Sequence, residues 1–186
     1  MKLRSGIRTK WLLAVSACAV LAGFPALAAK EKIDSPGYVD ASLYTDLVDD
    51  DCLRLQVWMP GSLVRTLAKV DPDLYELVKG VEAIQAVILD LDCGEPKGVR
   101  DIVRKQESAL LETGWERLVL VREEDAEIRV LVLNREELIN GLVVFVHDRD
   151  EGELVFVNIA GTVDLAAIQR IAEGFDIPGL KDIDAP

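Results

Sequence analysis

The chain has 186 residues, half of them apolar, with 33 acidic against 21 basic side chains, a net charge of −12, three cysteines and one histidine. That length supports one domain with a buried core, and the positive mean hydropathy excludes a disordered acidic tail, which would lack aliphatic residues. The acidic balance, with no Lys/Arg cluster interleaved with aromatics, excludes nucleic acid as an expected partner, because a polyanion would be repelled.

Residues 1–28 read as an export signal. Lys2, Arg4, Arg8 and Lys10 form a positive start, Trp11 to Phe24 is an apolar run too short to span a membrane, and Ala26-Leu27-Ala28 supplies a small-x-small cleavage site before Ala29. A competing reading uses Val15-Ser16-Ala17-Cys18, the pattern that precedes an acylated cysteine, and makes the chain a lipoprotein anchored in the membrane through Cys18. Ala19 to Phe24 prolong the apolar run beyond Cys18, which favours cleavage between Ala28 and Ala29 and a periplasmic location. Cleavage removes four of the 21 basic residues and no acid, leaving 17 against 33, a charge of −16. Charge alone then gives no hold on an anionic membrane, so membrane contact is expected only with lipidation at Cys18.

Residues 29–51 form a lead-in and 52–186 a single domain. In the lead-in, Ser35-Pro36-Gly37 signals a turn, Val39, Leu43 and Leu47 recur at helical spacing, and Asp40 is a cap for a short helix expected to dock on the domain. Leu53, Leu55, Val57 and Met59 alternate with Arg54, Gln56 and Trp58, the pattern of a half-buried strand ended by Pro60-Gly61. Two helices follow. Ser62 precedes one with Leu63, Val64, Leu67 and Ala68 on a face, and Asp71-Pro72 starts another with Leu74, Leu77, Val78 and Val81, stopped at Gly80. A second strand is expected from about Ala83 to Leu91, then a helix from Val99 to Thr113 with Ile102, Val103, Ala109 and Leu110 inward.

Trp115 to Arg122, Glu127 to Leu133, Ile139 to His147 and Leu154 to Ile159 are aliphatic runs joined by turns of hairpin length, which predicts a four-stranded antiparallel meander. Asp164 would cap a last helix bearing Leu165, Ile168 and Ile171, closed by Gly174. The fold class is therefore α+β, a mainly antiparallel sheet packed by about four helices. The meander strands are apolar at both parities, as in Leu142 and Val144 against Val143 and Phe145, so both sheet faces require cover. Helices divided between the faces would supply it, as would self-association through the sheet face or an unidentified envelope protein, with Val143 and Val155 taken as outward positions.

Pro36-Gly37-Tyr38-Val39-Asp40, Met59-Pro60-Gly61-Ser62-Leu63, Gly114-Trp115-Glu116, Gly141-Leu142-Val143-Val144 and Phe156-Val157-Asn158-Ile159-Ala160-Gly161 followed by Asp164-Leu165 form a set of packing and turn motifs. In them the mature chain resembles a family of exported bacterial proteins, domain of unknown function 4252. The resemblance implies a compact exported domain and no catalytic residue. Because members of that family can be lipoproteins and can be encoded near extracytoplasmic sigma factors, it also implies an association with envelope stress signalling.

The residues themselves offer little chemistry. His147 is the sole histidine, Ser35, Ser42, Ser62 and Ser108 lack the Gly-x-Ser-x-Gly frame, and His147 reads as a polar residue at a hairpin end. Asp148, Asp150, Glu151 and Glu153, like Asp49 to Asp51, read as solvated turns without the spacing of a calcium loop. Asn158, an amide in an aliphatic strand, is expected to hydrogen-bond the turn into Asp164. No catalytic, cofactor-binding or metal residue is assigned, and the expected function is a non-enzymatic envelope domain acting through protein contact. The alternative is a binder of a small apolar ligand or lipid in a cavity between sheet and helices.

Cys52 and Cys93 are the two cysteines left after signal cleavage, and an oxidising compartment would join them. The pairing requires the first two strands to be antiparallel or otherwise aligned. Adjacent parallel strands would hold the cysteines about 25 Å apart, beyond the ~7 Å limit on Cα separation, and leave two buried thiols.

Overall fold

The computed structural model describes residues 33–93, 98–135 and 138–163. The segment that reads as an export signal, with Cys18, Ala28 and Ala29, and the helix expected from Asp164 lie outside the described residues.

The lead-in makes a tight turn closed by Tyr38 N–H on the Ser35 carbonyl at 2.9 Å, then runs extended into the one-turn helix α1 (Ser42–Thr45). A 3-10 turn over Asp50–Cys52 delivers the chain to β1 (Leu53–Pro60). Helices α2 (Gly61–Ala68) and α3 (Pro72–Val78) connect it to β2 (Val81–Asp90). At the start of α3, Asp71 accepts the N–H groups of Asp73 at 3.0 Å and Leu74 at 3.2 Å, while Pro72 occupies a position whose N–H would have no helical partner. Then come α4 (Val99–Glu112), β3 (Trp115–Arg122), β4 (Ala126–Arg135), β5 (Leu138–Asp148) and β6 (Glu153–Val163).

The strands form one six-stranded sheet in the order β1-β2-β6-β5-β4-β3, antiparallel at every pairing. The expected meander is β3 to β6, and its last strand inserts beside β2. Strands β4, β5 and β6 outrun the aliphatic windows read from sequence. Asp148 and Glu153, for example, still pair across the β5–β6 hairpin, because polar residues at a strand end reach water without leaving the ladder.

One face is covered by α4 and the lead-in. Val87 and Leu89 of β2, Leu154 and Phe156 of β6, Val143 and Phe145 of β5, and Leu131 and Leu133 of β4 meet Val99, Val103 and Leu110 of α4 and Val39, Ala41 and Tyr44 of the lead-in. On the other parity Val130, Leu142, Val144 and Val155 are also buried. Val143, at 0% exposure, and Val155 are therefore both interior, which corrects their reading as outward positions: each parity of the central strands is removed from water.

Three local expectations shift. In the lead-in, Tyr44 faces the sheet while Leu43 is exposed, since the segment is extended up to Ala41 and winds for only one turn. In α2, Val64 and Ala68 are buried while Leu63 and Leu67 face solvent. In α4 the buried row is Val99, Val103, Glu107 and Leu110, with Ile102 half-buried at its edge and Ala109 exposed.

Candidate functional site

The disulfide is formed between Cys52 and Cys93, with Cα atoms 5.5 Å apart. The antiparallel pairing of β1 with β2, which sets Leu53 opposite Leu89, brings the beginning of one strand to the end of the other and removes the parallel alternative. Arg54 braces the same corner through ion pairs with Asp90 and Glu153, and the Arg54 hydrogen bond holds the Asp90 carboxyl below the usual carboxylate range.

The acidic turns are built as turns. Asp148 accepts the N–H groups of Asp150 and Glu151, both at 3.0 Å, and Asp90 accepts those of Asp92 at 2.9 Å and Cys93 at 3.3 Å. Among the described residues no three His, Cys, Asp or Glu side chains converge as metal ligands would.

His147 lies at the hairpin end of β5, as expected, and is buried there, because its parity places it under α4, in register with Glu127 of β4 and Leu154 of β6. Around it lies a charge network that the sequence reading did not find. Glu107 of α4 receives Arg117 at 2.6 Å and Arg129 at 3.0 Å, and Glu127 receives Arg129 at 2.7 Å and Arg122 at 2.9 Å. Arg129 is 2% exposed, and both carboxylates are buried with it. Burial pushes the Glu127 carboxyl up, but the Arg122 hydrogen bond and the Arg129 and Arg122 charges outweigh it and hold the group below its ordinary value. The arrangement engages two carboxylates with three guanidinium groups and leaves no space for a reactant. The gap between α4 and the sheet, bounded by Val99, Val103, Glu127, Phe145, His147 and Leu154, has no room for a water molecule. The legible signal was Glu107 itself, a carboxylate on the apolar row of an amphipathic helix.

Asn158 bonds the lead-in, while Asp164, which closes the turn expected to receive it, lies outside the described residues. At 0% exposure it lies beside Gln85 of β2, its register partner, with both side chains directed at residues 37–41. Asn158 Oδ1 accepts Val39 N–H at 3.0 Å, and its Nδ2 donates to the Gly37 carbonyl at 2.9 Å and the Leu142 carbonyl at 3.2 Å. Gln85 Nε2 donates to the Val39 carbonyl at 2.9 Å, while its Oε1 accepts Ala41 N–H at 3.3 Å and Tyr38 O–H at 3.4 Å. Two amides thus do for an extended segment what a neighbouring strand's backbone would do. Gly37 lies directly on Gly141 of β5: a Cβ on Gly141 would come within 2.7 Å of Gly37 Cα and 2.8 Å of Trp115. Beyond, the Tyr44 ring stacks on Phe156 with centroids 4.6 Å apart and tilts against Phe145 at 5.9 Å.

A surface of another kind lies on α2 and α3. Leu63, Leu67 and Leu74 are exposed, and Val70, in the turn between the helices, is 89% exposed. From Leu53 to Val70 the chain has Arg54, Arg65 and Lys69 and no acid, although acids predominate overall. Arg65 is fixed there by its bond to the Val81 carbonyl at 2.8 Å.

Neither the curated proteins nor the solved structures compared with the chain gave a match. The model of the family described as domain of unknown function DUF4252 matches residues 49–171. That span takes in all six strands and α2 to α4 but starts after the Pro36-Gly37-Tyr38-Val39-Asp40 motif. With more than half of its length matched, the chain belongs to the DUF4252 family.

Proposed function

We propose that this protein is an exported, non-enzymatic domain of the cell envelope that acts by contact with another protein. The observation that carries the reading is the exposure of four apolar side chains within one α2–α3 segment, Leu63, Leu67, Val70 and Leu74, in a fold that buries both parities of its central strands. Apolar side chains grouped on a soluble domain mark contact sites. The Cys52–Cys93 disulfide supports an oxidising compartment, as do the residues that read as an export signal. A role in envelope stress signalling follows from the family resemblance. The charged and amide side chains that would be suspected of chemistry are engaged in holding α4 and the lead-in. The closed gap beneath α4 weighs against a lipid held there.

The test is photo-crosslinking in the native envelope from a probe at Val70, with Lys105 on the exposed side of α4 as control. A protein adduct specific to Val70 is expected. A lipid adduct, or equal capture at both positions, would refute the reading.

A further inference from the structure

The sheet face under residues 37–45 has the construction of a peptide site. Gln85 and Asn158 contact backbone atoms only on this segment apart from the Tyr38 hydroxyl, so they recognise an extended chain with little regard to its sequence. Side-chain selection falls to three places: the close approach at Gly141, the buried positions held by Val39 and Ala41, and the aromatic seat made by Phe145 and Phe156. The face lies within the part of the chain matched by the family model, whereas the segment that fills it lies outside that part.

The resident segment fits imperfectly. Tyr44 is 0% exposed, yet among the described residues its hydroxyl has no hydrogen-bond partner. Burial of a donor without an acceptor opposes docking. The segment itself carries Asp40 and is flanked by Asp34 on one side and Asp46 and Asp49-Asp50-Asp51 on the other, on a chain already in acidic excess.

We propose that this face is a peptide-docking groove, that residues 37–45 are its exchangeable intramolecular strap, and that the partner it fits is an extended segment of another protein. That segment would have glycine at the Gly37 position, small or β-branched residues at the Val39 and Ala41 positions and phenylalanine at the Tyr44 seat. Its solvent-facing positions would be neutral or cationic. Displacing the strap then exchanges an acidic, incompletely satisfied occupant for one that matches both the seat and the charge. The groove does not involve the α2–α3 segment, so it stands or falls separately from the function proposed above.

Two measurements on the full chain test it. In hydrogen exchange, the Val39 and Ala41 amides of the wild type should exchange at least tenfold faster than those of Val144 and Val157, because the strap lifts without global unfolding. Equal protection overturns the proposal. The second measurement uses a fluorescent peptide of residues 33–48 carrying Tyr44→Phe, Asp34→Asn, Asp40→Asn and Asp46→Asn. It should bind the Tyr44→Ala chain at least tenfold more tightly than the wild type, where the intramolecular strap competes, and binding should be lost on adding Asn158→Leu. Absence of saturable binding to a folded Tyr44→Ala chain, or equal binding of a scrambled peptide, overturns it. Should Tyr44→Ala not fold, the wild-type exchange measurement decides alone.

Discussion

Replacing Tyr44 two ways separates its ring from its hydroxyl. The ring is fully buried against Phe156 and Phe145, and truncating a buried aromatic to alanine costs about 3 to 5 kcal/mol. The hydroxyl acts in the opposite sense, since a buried polar group without a partner costs about 1 to 3 kcal/mol. Tyr44→Phe should therefore stabilise the fold by about 1 kcal/mol or more, and Tyr44→Ala should destabilise it. With a urea slope of roughly 2 kcal/mol per molar, the Phe variant's midpoint rises by about 0.5 M. The pH dependence supplies a second readout. Burial pushes the Tyr44 phenol above its ordinary value of 10.0, so its contribution is complete below that value and is lost as pH rises from there through the higher folded one. Tyr44→Phe should remove that part of the alkaline loss, making its advantage grow above about pH 10. A Phe variant less stable than the wild type at neutral pH would mean the hydroxyl is satisfied, and the account of the strap as an imperfect occupant would fail.

Breaking the Cys52–Cys93 disulfide by paired alanine substitutions should cost about 4 kcal/mol, from closing a loop with a sequence separation of 41, and urea denaturation reads it directly; a loss below about 1 kcal/mol would contradict the entropic account. Glu127, held below its ordinary value by Arg122 and Arg129, contributes stability that is present above about pH 4.5 and lost as pH falls through its folded value. The stability gap between wild type and Glu127→Gln should accordingly narrow on acidification, and an unchanged gap down to pH 2 would count against the network. Gly141→Ala should cost about 1 to 3 kcal/mol by pressing a methyl group onto Gly37 and Trp115, with faster exchange of the Val39 amide as its signature. His147→Ala should cost about 2 kcal/mol in thermal or chemical denaturation, because the ring is interior; full stability would place His147 back at the surface.

The meander was legible because its strands are long aliphatic runs with hairpin-length connections, and Trp115–Arg122 was read with its observed limits. Pairings between elements distant in sequence were not legible. Nothing in β6 itself states that Asn158 lies opposite Gln85, since register between β6 and β2 is set by packing over the whole sheet. The same distance hides the bonds of Asn158 to the lead-in: reasoning along the chain offers an amide its sequence neighbours, whereas a β-sheet offers it a segment 119 residues away. The burial of His147 and the ion pairs of Glu127 escape the sequence for a second reason. At a strand end, parity decides between water and interior, and a helix over the last residues of a sheet converts a charged hairpin end into a buried network.

Polar groups on the covered face divide into two sets with distinct tasks. Apolar contacts at the centre would hold any apolar segment or helix and do little to fix its register, because the hydrophobic effect has no direction. The amide pair aligns the lead-in by naming particular N–H and carbonyl groups, while Glu107 aligns α4 by requiring Arg117 and Arg129 at one helical position. The two alignments differ in what can replace the aligned element. Lifting α4 would part Glu107 from both Arg117 and Arg129, breaking two ion pairs at once while uncovering the apolar residues beneath the helix. Lifting the strap leaves two neutral amides that water, or another peptide backbone, satisfies equally well. On electrostatic grounds the strap is the element of this face that can be exchanged, and α4 the one that stays.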